Sequence, residues 1–90
     1  MTGGGETPPY GMTDDEIAKT LMRLARERGA GKTFCPSEAA RALSGDWRNL
    51  MPRVREVAAG LPLVATQKGV AVDPVEASGP IRLGLAEGET

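Results

Sequence analysis

Ninety residues with a net charge of -1, 40% hydrophobic content and no histidine leave room for one small domain. A chain of this size buries only about 60% of its unfolded surface, so a deep substrate cleft with its own core is not expected. The missing histidine removes the usual general base, the commonest zinc ligand and the ordinary pH switch together.

Cys35 is the sole cysteine, which excludes an internal disulfide, and no apolar run reaches the roughly 18 to 20 residues of a membrane span or forms a signal-peptide core. The expectation is a cytoplasmic binding module, not an enzyme, with no cofactor, no metal, no membrane association and no small-molecule substrate. Charge divides unevenly along the chain. Glu6, Glu87 and Glu89 flank the expected core, and between Thr13 and Leu83 eleven Lys and Arg stand against nine Asp and Glu, a surplus of +2. That is mildly basic, far from the strong positive field of an independent DNA binder.

Residues 1–12, with four glycines and two prolines, read as a flexible N-terminal arm that Tyr10 and Met12 could anchor. Thr13-Asp14-Asp15-Glu16 is a capping box that starts a first helix. Ile17, Leu21, Met22, Leu24 and Ala25 form its apolar stripe, Arg26 and Arg28 suit its last turn, and Gly29 ends it. Lys19, Arg23 and Arg26 lie away from that stripe, where they read either as a phosphate-facing ridge or as a solvated face with Asp15 to Lys19 and Arg23 to Glu27 as i,i+4 pairs. Gly29-Ala30-Gly31-Lys32-Thr33 invites comparison with a phosphate-binding loop. It fails because Arg26 stands where the leading glycine belongs, a helix precedes it instead of a strand, and Pro36 interrupts the helix that should follow at once.

Pro36 and Glu38 favour a second helix with Ala39, Ala40, Ala42 and Leu43 as its apolar surface, Glu38 and Arg41 outward, and Cys35 a small buried group at its start. Ser44-Gly45-Asp46 makes a turn of about three residues, with Asp46 capping a third helix. In that helix Trp47, Leu50, Met51, Val54, Val57 and Ala58 share one stripe, and Trp47 is expected to pack it against the first helix. Pro52 predicts either a kink or a short turn followed by a fresh helix. Leu61–Thr66 and Val70–Val72 around Gln67-Lys68-Gly69 read as a hairpin, Asp73–Glu76 as one helical turn, and Pro80–Leu83 as a short edge strand. Gly84 opens a fraying tail, so the folded unit is 13–83 and residues 84–90 are a flexible acidic tail.

Three helices followed by a β-hairpin wing and a short third strand resemble a winged helix-turn-helix, mainly α with a small β-sheet. GKTFCPSEAARAL, DWRNLMPRVR, ATQKG, VDP and GPIRL also resemble a family of short bacterial proteins known as domain of unknown function 3253, over about Ala30 to Leu83 and the helix before it. The resemblance implies the winged-helix fold and supplies no activity or catalytic residue. The stretch between Arg55 and Thr66 is short for that family, which leaves the register of the wing open.

For duplex DNA, the third helix would enter the major groove with Arg48, Asn49, Arg53 and Arg55 available to read bases or clamp phosphate, and Lys68 at the wing tip. Against this, Arg48 and Arg55 flank one side of the stripe and Arg53 the other, with Asn49, Pro52 and Glu56 in the outward centre. These arginines would equally serve to solvate a core helix and pair with Glu56 or Asp46. The alternative function is a protein-interaction module, with a partner or a second copy added at the wing edge.

Overall fold

The computed structural model describes residues 13–29 and 31–86, which leaves the arm with Tyr10 and the last four residues outside the described part. Three helices, α1 (Asp14–Arg28), α2 (Pro36–Leu43) and α3 (Trp47–Ala59), precede three strands, β1 (Leu63–Gln67), β2 (Val70–Val72) and β3 (Arg82–Leu85).

Helix α1 begins at the predicted cap. The Thr13 hydroxyl accepts from the Glu16 backbone amide at 3.2 Å and donates to the Glu16 carboxylate at 3.4 Å. Ile17, Leu21, Met22, Leu24 and Ala25 are buried, as their three- and four-residue spacing requires. Gly29, at φ 89°, stops the helix by donating its amide to the Ala25 carbonyl. On the solvent face Lys19 pairs with Asp15 and Arg23 with Glu27, each at 3.2 Å.

Helix α2 starts with Pro36 at its first position, where the missing amide costs nothing. Two expectations about its faces are corrected. Glu38 does not point freely outward: it is half-buried, accepts from the Cys35 backbone amide at 3.3 Å and forms an ion pair with Arg28, so it links the end of α1 to the start of α2. Ala42 is exposed, because so short a helix offers one narrow stripe, taken by Ala39, Ala40 and Leu43. Cys35 is half-buried at the cap position rather than buried, and the Ser37 hydroxyl donates to its sulfur at 3.1 Å.

After the three-residue turn, α3 runs unbroken through Pro52, and no fresh helix starts there. The Arg48 carbonyl, deprived of its donor, sits beside exposed side chains where water can serve it. Leu50, Val54 and Ala58 are buried and Trp47, Met51 and Val57 half-buried, which is the predicted stripe. Asp46 stands at the cap without bonding a backbone amide. Its carboxylate instead accepts from the Asn49 side chain, at 2.9 Å to each oxygen.

The sheet has the order β2-β1-β3, antiparallel throughout, with Ala65 opposite Val72 on one side and Leu83 on the other. Gln67 belongs to β1, so the hairpin turn is the pair Lys68-Gly69 alone, at φ 53° and 83°. Two successive positive φ values are the signature of a type I′ turn, whose twist matches that of the strands. The helical turn expected at Asp73–Glu76 is present as one isolated turn: the Ala77 amide donates to the Asp73 carbonyl at 2.9 Å, and the Asp73 carboxylate caps it by accepting from the amides of Val75 and Glu76 at 2.8 and 3.2 Å.

Strand β3 continues to Leu85, past the expected boundary at Leu83. Gly84, expected in a fraying tail, is buried opposite Val64. Phe34 adds an isolated antiparallel bridge to Leu83 through two hydrogen bonds of 2.8 Å, so the outer edge of β3 is partly closed. Phe34, Ile17, Leu21, Ile81, Leu83, Val54 and Pro36 are the largest fully buried side chains, and with Ala39 and Ala40 of α2 they form one core shared by the three helices and the sheet.

Candidate functional site

The amino-terminal half of α3 and the hairpin turn were the sequence's candidate for a nucleic-acid surface, and the five residues proposed there meet different fates. Arg53 is engaged twice. Its guanidinium forks onto the Asp14 carboxylate of α1 at 2.7 and 2.5 Å and donates to Glu56 at 2.7 Å. Its pKa is raised above the ordinary arginine value, first by the hydrogen bond to Asp14 and then by that to Glu56. A guanidinium held by two carboxylates has little positive potential left for a phosphate.

Arg55 points the other way, under the segment that links β2 to β3. It donates to the backbone carbonyls of Ala77 at 2.8 Å, Gly79 at 2.6 Å and, more weakly, Pro74 at 3.4 Å. Those carbonyls lie in a connection with no ladder of its own, so Arg55 is the internal substitute for one. Asn49 spends its amide donors on Asp46. The sequence reading of α3 arginines pairing with Glu56 or Asp46 therefore holds for Arg53 and Glu56, whereas Asp46 takes Asn49.

Arg48 and Lys68 differ from these three. Arg48 is exposed in the first turn of α3, and among the described residues it pairs with no carboxylate. It shares a groove with Met51, Pro52, Arg55 and Glu56, across which Val75 stands. Lys68 is exposed on the positive-φ hairpin turn, in a separate groove with Gln67, Pro80 and Arg82. The structure thus brings Arg48 and Arg55 together and leaves Lys68 apart from them.

One cation was missed. The guanidinium of Arg41, in the last turn of α2, lies over the Trp47 ring at 4.4 Å from its centroid, and Arg48 lies over the same ring at 4.6 Å. Both are cation–π distances. Trp47, expected to bridge α3 to α1, is half-buried against the core, and its ring is shared by two arginines, one from α2 and one from α3. The signal for Arg41 was present in the three-residue turn: so short a link sets the last turn of one helix beside the first of the next. Outward orientation on α2 alone gave no reason to choose it.

Among the described residues no helix is long and apolar enough to cross a membrane. No three His, Cys, Asp or Glu side chains gather there as a metal-binding set.

Three helices with a three-residue α2-α3 turn, followed by a three-stranded sheet whose hairpin stands as a wing, define a small α+β domain of helix-turn-helix type. Residues 14–86 match the family described as protein of unknown function (DUF3253), and the chain belongs to that family. The match begins and ends with the described fold, from the first residue of α1 to the residue after β3. No curated protein matches the chain.

Proposed function

We propose that this domain is a duplex DNA-binding module that sets the start of α3 and the hairpin wing against the phosphate backbone. The observation that carries the reading is Arg48: a cation on the first turn of the helix after a tight turn, exposed and without a carboxylate partner among the described residues. Helix-turn-helix domains approach DNA with this end of the second helix of the pair, and a wing adds contacts alongside. Lys68, exposed at the tip of the hairpin, is the wing cation that supports this reading. The surplus of two positive charges between Thr13 and Leu83 favours weak binding, strengthened by dimerisation or a partner.

Titration of a labelled duplex at about 50 and 200 mM salt tests this, because phosphate contacts make affinity fall steeply with salt. Binding that weakens with salt, and weakens further in Arg48→Ala and Lys68→Ala, is the expected result. Absence of binding at the lower salt would overturn it. That outcome would leave a protein partner as the second reading, favoured by the 65% exposure of Val70 on the edge strand β2.

A further inference from the structure

Arg41 of α2 meets the neighbouring Trp47 and Arg48 of α3 across the α2-α3 turn. Their arrangement bears on what kind of contact α3 can make. The two guanidinium carbons, at 4.4 and 4.6 Å from one ring centroid, are within about 9 Å of each other. Both cations are attracted to the π-system of the one indole, which offsets part of their mutual repulsion. A guanidinium lying over a ring keeps its N–H donors in its own plane, directed outward from the stack. Among the described residues, neither Arg41 nor Arg48 forms an ion pair. The site therefore offers two fork-shaped donor sets that, among the described residues, have no carboxylate partner, which is the complement of phosphate oxygens.

The rest of the outward surface of α3 is poor in groups that read bases. The Asn49 amide is held by Asp46, the Arg53 fork is held by Asp14 and Glu56, and Pro52 between them brings no donor. These are the positions from which a helix in the major groove would discriminate one base pair from another. Glu56 repels an anion near it, but it lies eight residues beyond Arg48, about 12 Å along the helix. Its carboxylate is also occupied by Arg53.

Resting on the reading of the domain as a duplex binder, we infer that Arg41 and Arg48, stacked on Trp47, form a phosphodiester clamp and that the domain binds duplex without base readout. Arg41 is then a binding residue contributed by α2. Backbone contacts position a protein without carrying sequence information, so the clamp predicts tolerance of sequence and sensitivity to salt.

Because the chain has a single tryptophan, the clamp carries its own reporter. Fluorescence anisotropy with three labelled duplexes of equal length and unrelated sequence gives the affinities and salt slopes, and Trp47 emission follows the clamp itself. The expected result is three affinities within about threefold. The salt slope is expected to decrease by about 0.9 for each of Arg41→Ala and Arg48→Ala, one phosphate contact apiece. Duplex addition should change Trp47 emission in the parent and not in the double variant. Arg41→Lys and Arg48→Lys should keep the slope and lose the emission change, and circular dichroism checks that every variant is folded. A tenfold or greater preference for one duplex overturns the inference, as does an unchanged slope in either alanine variant while the parent binds. In both cases duplex binding itself survives. Failure of the parent to bind any of the duplexes overturns both the clamp and the function on which it rests.

Discussion

Arg53 of α3 and Asp14 of α1, 39 residues apart in sequence, meet guanidinium to carboxylate in a two-pronged contact of 2.7 and 2.5 Å. This pair fastens the outward surface of α3 to the first turn of α1. It also withdraws one of the arginines on which a DNA-reading helix would depend.

Breaking that pair should destabilise the domain modestly, since both side chains are about half exposed and water screens them. Asp14→Asn is expected to lower the thermal midpoint at low salt, with the difference shrinking as salt rises. The raised Arg53 pKa sets the direction of its pH dependence. Its contribution is complete below the ordinary arginine range and is lost only as pH rises through and beyond it. Thermal scans in low and high salt and at increasing alkaline pH check both points. An Asp14→Asn effect that grows with salt would contradict the assignment.

Arg55 predicts a local rather than a global weakness. Replacing it with alanine leaves the carbonyls of Ala77 and Gly79 without their charged donor, a loss of about 1.5 to 3 kcal/mol for hydrogen bonds of this kind. Amide exchange in residues 74–79 should accelerate before exchange in α1 or α3 does. Arg55→Lys should recover only part of the protection, because one ammonium nitrogen replaces the two guanidinium nitrogens that separately reach Ala77 and Gly79. Uniform loss of protection across the domain would show that Arg55 supports the whole core instead.

Pro52 is the one interior helix position where substitution should stabilise the protein. Alanine restores a donor to the Arg48 carbonyl and removes a residue that costs up to about 3 kcal/mol in a helix interior. The side chain is exposed, so little packing is lost. A raised midpoint in chemical denaturation is expected for Pro52→Ala, and a lowered one would mean that the proline ring closes the groove it lines with Arg48 and Val75.

Gly84 should tolerate nothing larger. A methyl group there would stand 2.9 Å from the Lys32 backbone carbonyl oxygen and 3.2 Å from the Thr33 side chain. Gly84→Ala is therefore expected to destabilise by about 1 to 3 kcal/mol, the range for overpacking. Gly45→Ala, where a methyl group meets nothing within 4 Å, serves as the control with little loss. Equal denaturation midpoints for the two variants would refute the close approach.

What was legible in the sequence was mostly local. The Thr13 cap, the α1 stripe, Pro36 at the head of α2 and the Trp47 to Ala58 stripe each depend on residues within a few turns of one another. The Lys68-Gly69 turn was legible for the same reason, although placing Gln67 in the strand required its partner Val70. Asp73-Pro74 was legible in the same way, since a cap, a proline and an acid are enough for the one helical turn found there. The candidate site fared worse because its residues are decided by distant partners. Nothing near Arg53 in the chain announces Asp14, nothing near Arg55 announces the carbonyls 22 and 24 residues on, and Arg41 gains its role only when the α2-α3 crossing sets Trp47 beside it. Gly84 looked like the start of a tail for the same reason, its neighbour Lys32 being far back in the chain.

The bridge between Phe34 and Leu83 has a consequence for how the domain is made. Closing a loop across that span costs chain entropy before the pairing rewards it, so the helices can assemble early while the sheet closes last. During synthesis, Phe34 emerges from the ribosome long before its partner. Until Leu83 follows, Phe34, the fully buried aromatic of the core, lacks the strand that covers it, and the nascent helical layer carries an unsealed seam.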